Sequence, residues 1–177
     1  MTQQAVELRY DVRPEDREAV RRLVESTGVF SRVEVDVAVE LVDERLQKGV
    51  ESGYHFVFAQ DGDRTVGYTC YGPIPLTAAS FDLYWIAVDK SLQGRSIGRV
   101  LLTKSEELIR DLDGGHVYIE TSNRQQYAPT RGFYLRCGYY QAALLKDFYA
   151  LGDDKVIYAK DLEGRQRTAN GPITDSK

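Results

Sequence analysis

The residues whose types and spacing most clearly suit a chemical role lie in one loop near the middle of the chain. This loop, residues 93–98, follows an apolar run over residues 81–88 and precedes a stretch with helical periodicity over residues 98–112. The first turn of a helix has unpaired backbone N–H groups and a partial positive charge, and both attract anions. Gly94 and Gly98 have no Cβ, so a phosphate can approach the backbone closely. The segment therefore predicts a pyrophosphate site at a strand–loop–helix junction.

Positively charged side chains gather at the same end of the predicted helix. They are Lys90, Arg95, Arg99 and Lys104. Two other phosphate-binding motifs are excluded, because a P-loop ends in Gly-Lys-Ser/Thr and a dinucleotide fingerprint needs Gly-x-Gly-x-x-Gly after a strand near the start of the chain. From the residues alone, glycines that only form a tight turn remain the alternative.

The elements that must position this loop follow from hydrophobic periodicity and turn residues. Period-two alternation and β-branched runs predict strands over residues 6–10, 54–60, 65–71, 81–88, 116–121, 139–145 and 155–161. Helical spacing, caps and breakers predict helices over residues 14–26, 31–48, 98–112 and 127–136. Ser31 and Glu34 are spaced as a capping box. Helices interspersed with strands predict an α/β or α+β three-layer domain.

Composition and charge limit the classes of function. The chain has 177 residues, 42% of them hydrophobic, and a net charge of −4. This length suits one buried core, which we place in residues 1–162, while the polar residues 163–177 are expected to be a disordered tail. The acidic balance does not favour nucleic-acid binding. Cys70 and Cys137 are too few for a metal cage, and no apolar run suits a signal peptide or a membrane span. We expect a cytoplasmic protein without metal, nucleic-acid or membrane partners.

The phosphate loop resembles the coenzyme-A-binding motif of the GNAT superfamily of acyl-CoA-dependent N-acyltransferases. That motif is Gln/Arg-x-x-Gly-x-Gly/Ala, and it reads here Gln93-Gly94-Arg95-Ser96-Ile97-Gly98. Ser96 stands where the family usually has glycine, but its backbone N–H is retained. The second signature of the family is a strand, then a short helix bearing Phe/Leu-Tyr, then Gly-Phe/Tyr. It matches Ile119-Glu120-Thr121 and Gly132-Phe133-Tyr134-Leu135-Arg136-Cys137-Gly138-Tyr139.

The resemblance implies a fold and a place for acetyl-CoA. The expected fold is a mixed, mostly antiparallel sheet flanked by helices, in which two parallel central strands, ending at Val88 and Thr121, splay apart. The pantetheine arm would lie in that gap and the diphosphate on the loop. One of Lys90, Arg99 and Lys104 would meet the 3′-phosphate. The implied cofactor-binding residues are Ile86, Ala87, Val88, Gln93, Gly94, Arg95, Ser96, Ile97, Gly98 and Arg99.

The resemblance also implies two catalytic groups. An alkylamine has a pKa near 10.4, so it must lose a proton before it can accept an acetyl group at neutral pH. Glu120 matches a position where family members carry glutamate, and we expect it to take that proton; Asp82 and Tyr84 on the neighbouring strand are competing candidates. Tyr134 is expected to protonate the departing thiolate, and its neighbour Phe133 is expected to pack in the core.

Acceptor-binding residues are expected around the two acids. Tyr127 stands where asparagine is common in the family, and we predict that it binds the acceptor with Asp82 and Tyr84. A pocket lined with tyrosines would favour a small cationic amine. The tyrosines considered for it are Tyr68, Tyr71, Tyr84, Tyr118 and Tyr149.

The leading expectation is therefore acetyl transfer from acetyl-CoA to a small-molecule amine, by a monomer or a homodimer. The alternatives are a protein α-amine or lysine acetyltransferase and a non-catalytic acyl-CoA-binding sensor. A toxin that acetylates charged tRNA is disfavoured, because binding to a nucleic acid backbone needs a basic surface.

Overall fold

The computed structural model describes residues 6–162, which form a seven-stranded sheet with four α-helices packed against it. The strands are β1 Glu7–Arg9, β2 His55–Asp61, β3 Arg64–Pro73, β4 Ser80–Val88, β5 His116–Ser122, β6 Tyr140–Ala150 and β7 Asp153–Asp161. The helices are α1 Asp16–Thr27, α2 Arg32–Lys48, α3 Ile97–Asp111 and α4 Ala128–Arg136. The predicted order of elements is confirmed. The tail predicted to be disordered, residues 163–177, lies outside the described residues.

The sheet is mixed and mostly antiparallel, as predicted. Its strand order is β1-β2-β3-β4-β5-β7-β6, and β4 and β5 are its parallel neighbours. Within residues 6–162 these two strands pair only where Ser80 to Asp82 faces His116 to Tyr118, so they diverge beyond that point. The register of β3 against β4 shifts at Tyr84, which marks a β-bulge, and a bulge bends its strand. From Leu83 to Val88, β4 therefore has no strand partner on its β5 side among the described residues.

Two layers of apolar side chains hold the helices on the two faces of the sheet. Helices α1 and α2 pack on β2, β3 and β4 through Val20, Leu23, Val39 and Val42 against Phe56, Phe58 and Tyr68. Helices α3 and α4 pack on the opposite face through Leu101, Leu102, Ile109 and Tyr134 against Val57, Val117 and Ile119. Full burial of each such side chain contributes roughly 1.5–3 kcal/mol, so these two layers fix the frame of the diverging strands.

The start of α2 is fixed by the predicted capping box. The Ser31 hydroxyl accepts a hydrogen bond from the Glu34 backbone N–H (3.3 Å), and the Glu34 carboxylate accepts one from the Ser31 N–H (2.7 Å). Reciprocal capping of this kind fixes the direction in which the chain enters a helix. The short loop between α1 and α2 therefore has a defined path near the diverging strands.

None of the helices within residues 6–162 combines the length and apolar character that a bilayer crossing requires.

Candidate active site

The phosphate loop has the backbone conformation that its glycines suggest. Gly94 and Ser96 both have φ in the left-handed region, at 80° and 65°, and α3 begins directly after Ser96. Glycine adopts a left-handed φ freely, which explains why glycine is usual at the position that Ser96 occupies here. Asp89 holds the start of the loop by accepting hydrogen bonds from the Ser91 N–H (3.0 Å) and hydroxyl (2.6 Å).

A groove of about 450 Å³ lies between this loop and α4. Eight of the ten predicted cofactor residues line this groove: Ile86, Val88, Gln93, Gly94, Ser96, Ile97, Gly98 and Arg99. Ala87 lines the adjoining cavity instead, and Arg95 lines neither. The far wall is formed by Pro129, Thr130, Phe133 and Arg136 of α4.

The cations beside the groove differ in part from those predicted. Arg99 lines it, whereas Lys104 is ion-paired with Glu107 (2.9 Å) on the outer surface of α3. Arg136, in the last turn of α4, lines the groove and was not among the predicted residues. The sequence contains one indication that Arg136 could matter, because it lies on the short helix of the second family signature. Among the described residues, Arg99 and Arg136 are the arginines that line this groove and could contact a phosphate there.

A larger cavity of about 950 Å³ continues from the groove into the gap between β4 and β5. The two spaces share Ile86, Val88 and Gln93, so they form one continuous cleft. The predicted site residues that line this cavity are Tyr84, Ile86, Ala87, Val88, Gln93, Glu120, Tyr127 and Tyr134. The fold thus brings the open edge of β4, Glu120 and Tyr134 to one cleft. An acyl transfer between a bound thioester and an amine needs such proximity.

The expectation about Phe133 and Tyr134 was wrong in one respect. Tyr134 is the more buried residue, with 4% of its surface exposed, and it packs against Tyr139 and Tyr158 in the core. Phe133 is only partly buried and lines the phosphate groove, where a Cβ at Gly98 would lie 3.5 Å from its ring. Phe133 therefore packs against the start of α3 at the groove, and Tyr134 takes the core position.

Tyr134 nevertheless reaches the cavity while its ring is held in the core. Burial raises the pKa of its phenol well above the usual value, with a smaller contribution from Cys137. The phenol therefore stays protonated at neutral pH and can donate a proton or a hydrogen bond.

Tyr127 has a structural role that the sequence did not suggest: it binds the loop between α1 and α2. Its hydroxyl and the Gln126 side-chain amide both donate to the Val29 carbonyl, each at 3.1 Å. The next residue of that loop, Phe30, packs edge-on against Trp85 with ring centroids 5.0 Å apart. We call residues 28–31 the α1–α2 strap, because these contacts tie the loop across the gap between β4 and the start of α4. Tyr127 lines the cavity with its ring while its hydroxyl holds this strap.

The acidic end of the cavity contains an ion pair. The Lys155 Nζ donates to Glu120 Oε2 at 2.6 Å, and it lies 3.8 Å from the centre of the Phe148 ring. Asp82 is half-buried beside this pair but is not among the cavity-lining residues. Burial, and then the charge of Glu120, raise the pKa of Asp82 to about 6, while Lys155 acts in the opposite direction.

The tyrosines expected to line the pocket divide into two groups. Tyr84 and Tyr149 line the cavity, and Tyr84 also packs edge-on against Tyr54 with centroids 5.4 Å apart. Tyr68 and Tyr71 are buried in the core and do not line it, so that part of the expectation was wrong. Both lie on β3, a central strand covered on both faces, and the sequence did not distinguish it from the strands at the gap. Tyr118 does not line the cavity either.

The raised pKa of Asp82 predicts a pH-dependent stability difference. An acid whose pKa is higher in the folded state than in the unfolded state costs stability once pH rises above the unfolded value, and the cost is complete above the folded value. We expect Asp82→Asn to match the wild-type Tm near pH 3.5, below both values, and to exceed it above about pH 6. Thermal unfolding across this range measures the difference, at about 2–4 °C for each kcal/mol.

A second aspartate serves as the control of opposite sign. Hydrogen bonds from Ser91 lower the pKa of Asp89, so the charged form of that carboxyl is favoured by folding. Asp89→Asn should therefore lose stability at neutral pH, and its deficit should shrink as pH falls. Equal Tm changes for the two variants at neutral pH would contradict the assigned environments.

Comparisons with known proteins agree with this geometry. The family model described as "Acetyltransferase (GNAT) family" matches residues 18–139. A GNAT-family protein of known structure from Desulfovibrio desulfuricans is 50% identical, and the match covers 89% of this chain and 99% of that one with a TM-score of 0.88. An aminoglycoside 6′-N-acetyltransferase solved with coenzyme A shares the fold at 19% identity, with coverage of 90% and 99% and a TM-score of 0.71.

One curated relative is an N-alpha-acetyltransferase, RimI of Mycobacterium tuberculosis. It is 31% identical over 109 residues, which are 60% of this chain and 66%, just under two thirds, of the relative. The family model covers most of the described chain, including both signatures. This chain belongs to the GNAT family and is an acetyl-CoA-dependent N-acetyltransferase.

Proposed function

We propose that this enzyme acetylates a primary amine of a small cationic molecule. The observation that carries the proposal is the charge of the cavity. Among the described residues that line it, three are acids, Glu34, Glu120 and Asp153, and one is a cation, Arg124, while Lys155 lies behind Glu120. Opposite charge attracts an ammonium substrate and orients it before transfer. Asp82, adjacent to Glu120, adds a further carboxyl to the same region.

The shape of the cleft supports a small acceptor. A volume of about 950 Å³ falls within the range of small-molecule sites, about 300–1,000 Å³, and part of it must hold the pantetheine arm. The α1–α2 strap crosses the gap on one side. The aromatic rings of Tyr84 and Tyr149 line the remainder, and their faces attract ammonium groups.

We propose the following roles for the residues at the cleft. Acetyl-CoA supplies the acetyl group as an activated thioester. The unpaired backbone of β4 from Ile86 to Val88 binds the amides of the pantetheine arm as a neighbouring strand would. The N–H groups at the start of α3, with Arg99 and Arg136, hold the phosphates. Glu120 takes a proton from the acceptor ammonium, directly or through a water, and Tyr134 gives one to the departing sulfur.

Glu120→Gln tests the assigned proton acceptor. The amide cannot take a proton, so we expect turnover to fall by roughly 10²–10⁴-fold at neutral pH. The loss should shrink as pH rises toward the amine pKa, because free amine then becomes abundant. Glu107→Gln is the control, since Glu107 is ion-paired with Lys104 on the outer surface of α3 and should leave the rate unchanged. A constant ratio of Glu120→Gln to wild-type rates across the pH range would assign the role to another group.

A panel of amines tests the proposed acceptor class. Thiol release from acetyl-CoA should be fastest with polyamines or aminosugars, and within one carbon length a diamine should exceed the monoamine. The identity to an N-alpha-acetyltransferase makes a protein α-amine the second candidate. If peptides bearing free α-amines exceed every small amine, the second candidate replaces the proposal.

A further inference from the structure

One ammonium group of the chain itself lies beside the part of the cleft lined by Glu120 and Tyr149, which we call the acceptor end. Lys155 lies on β7, and only 11% of its side chain is exposed. Its Nζ lies 2.6 Å from Glu120 Oε2, 3.8 Å from the centre of the Phe148 ring and 5.8 Å from that of Tyr149. A carboxylate combined with aromatic rings is the chemistry that recognises an alkylammonium ion.

This arrangement depends on an irregular segment of β6. The pairing of β6 with β7 passes from Leu145 opposite Lys155 directly to Ala150 opposite Asp153, so residues 146–149 leave the ladder. Asp147 has a positive φ of 51°, and its backbone N–H donates to Asp154 Oδ1 at 3.0 Å, which anchors the segment at its centre. As a result Phe148 and Tyr149 are placed against the Lys155 ammonium instead of continuing the strand.

The ammonium is also next to the groups that we assign to catalysis. Glu120, which binds it, and Tyr149, which faces it, line the same cavity as Tyr134 and the open edge of β4. We propose that Lys155 is an acceptor for its own enzyme, so that without a soluble amine the chain transfers the acetyl group to the Lys155 Nζ. This inference rests on the proposed location of the acceptor end.

The step balances with the groups present. The Lys155 ammonium loses one proton to Glu120, which passes it to solvent. The neutral Nζ attacks the thioester carbonyl carbon, an N–C bond forms, and the C–S bond breaks. Tyr134 gives a proton to the sulfur and regains one from the second Nζ–H through solvent. The products are N-acetyl-lysine, free coenzyme A and one proton. Acetylation removes the charge that pairs with Glu120, so the modification would change the electrostatics of the acceptor end.

A second lysine of the same strand is a matched internal control. Lys160 is also bound to a glutamate, with its Nζ 2.8 Å from Glu106, and it also lies near an aromatic ring, 5.3 Å from the centre of Tyr139. Its side chain is more exposed than that of Lys155, at 25%. Lys160 is bound to Glu106 of α3, which does not line the cavity, whereas Glu120, which binds Lys155, does. Non-enzymatic acetylation should therefore favour Lys160, and transfer within the cleft should favour Lys155.

The test uses the native chain and isotope-labelled acetyl-CoA, with no amine added. Peptide mass spectrometry should show the acetyl group on Lys155 accumulating at least about tenfold faster than on Lys160, with a rate constant that does not change on dilution of the protein. The Tyr134→Phe chain should modify Lys155 at least about tenfold more slowly. In the Lys155→Arg chain, which keeps a cation beside Glu120, the peptide that contains residue 155 should carry no label.

Three results would overturn the inference: an unmodified Lys155, modification no faster than that of Lys160, or an equal rate in the heat-unfolded chain. The amine panel separates this failure from failure of the proposed function. Rapid turnover of a small cationic amine with Lys155 unmodified rejects self-acetylation alone. Binding of acetyl-CoA without transfer to any amine or to Lys155 rejects the proposed acceptor end as well.

Discussion

Replacing Gly98 by aspartate should abolish the stabilisation of this enzyme by acetyl-CoA. At a concentration a hundredfold above Kd, the ligand should raise the Tm of the wild-type chain by about 5–10 °C, from about 2.7 kcal/mol of linkage. Gly98 lines the groove beside the phosphate loop, so a carboxylate there would repel and displace the diphosphate. The substitution should not unfold the chain, since an acid in the first turn of a helix is favourable.

Gly98→Ala is the matched control, because a Cβ at this position would meet the Phe133 ring at an ordinary contact distance of 3.5 Å. Alanine should therefore retain most of the Tm shift. Thermal scans with and without acetyl-CoA measure both variants. A full shift in Gly98→Asp would place the phosphates elsewhere, and loss of the shift in Gly98→Ala would show that steric fit, rather than charge, controls the site.

Removing the Tyr134 hydroxyl should lower turnover strongly at every pH. Tyr134→Phe keeps the ring that packs against Tyr139 and Tyr158, so the fold and the affinity for acetyl-CoA should be preserved. The departing thiolate would lose its proton donor, and turnover should fall by roughly 10²–10⁴-fold. The measurement is steady-state kinetics on the best amine of the panel, with coenzyme affinity determined separately so that the chemical step is isolated.

The neighbouring Tyr139 provides the control for Tyr134. Its hydroxyl donates to the buried Glu106 at 3.0 Å, so Tyr139→Phe should cost stability, about 1–3 kcal/mol, without a comparable loss of turnover. If Tyr134→Phe turns over within about threefold of wild type while chemistry limits the rate, a water or the acceptor must supply the proton.

The parts of the structure that the sequence predicted are those determined by local patterns. The phosphate loop combines a strand, two glycines and a helix start in one short segment, and each of these can be recognised from the local sequence. The capping box at Ser31 is likewise a contact between residues three apart. The second signature placed Glu120 and Tyr134 on elements that the fold brings to one cleft.

The parts that escaped prediction depend on contacts between distant residues. The strap is held by the hydrogen bond from Tyr127 to the Val29 carbonyl, between residues 98 positions apart in the sequence. Nothing in the type of either residue predicts this contact. The burial order of Phe133 and Tyr134 depends on the contacts of Tyr134 with Tyr139 and Tyr158, which lie outside its helix. The predicted strand ended at residue 145, whereas β6 continues to Ala150 through an irregular segment held by the contact between Asp147 and Asp154. Tyr149 was among the predicted pocket tyrosines, but the contacts of Lys155 with Glu120 and Phe148 were missed.

The most direct test of the central claim is a competition in one vessel. The enzyme would receive labelled acetyl-CoA together with small cationic amines and peptides with free α-amines at equal concentrations. Every acetylated product would be identified and quantified by mass spectrometry. We expect a small cationic amine to carry most of the label, with one thiol released for each acetyl group transferred, and we expect Tyr134→Phe to suppress both signals together. Label found predominantly on peptide α-amines would contradict this expectation.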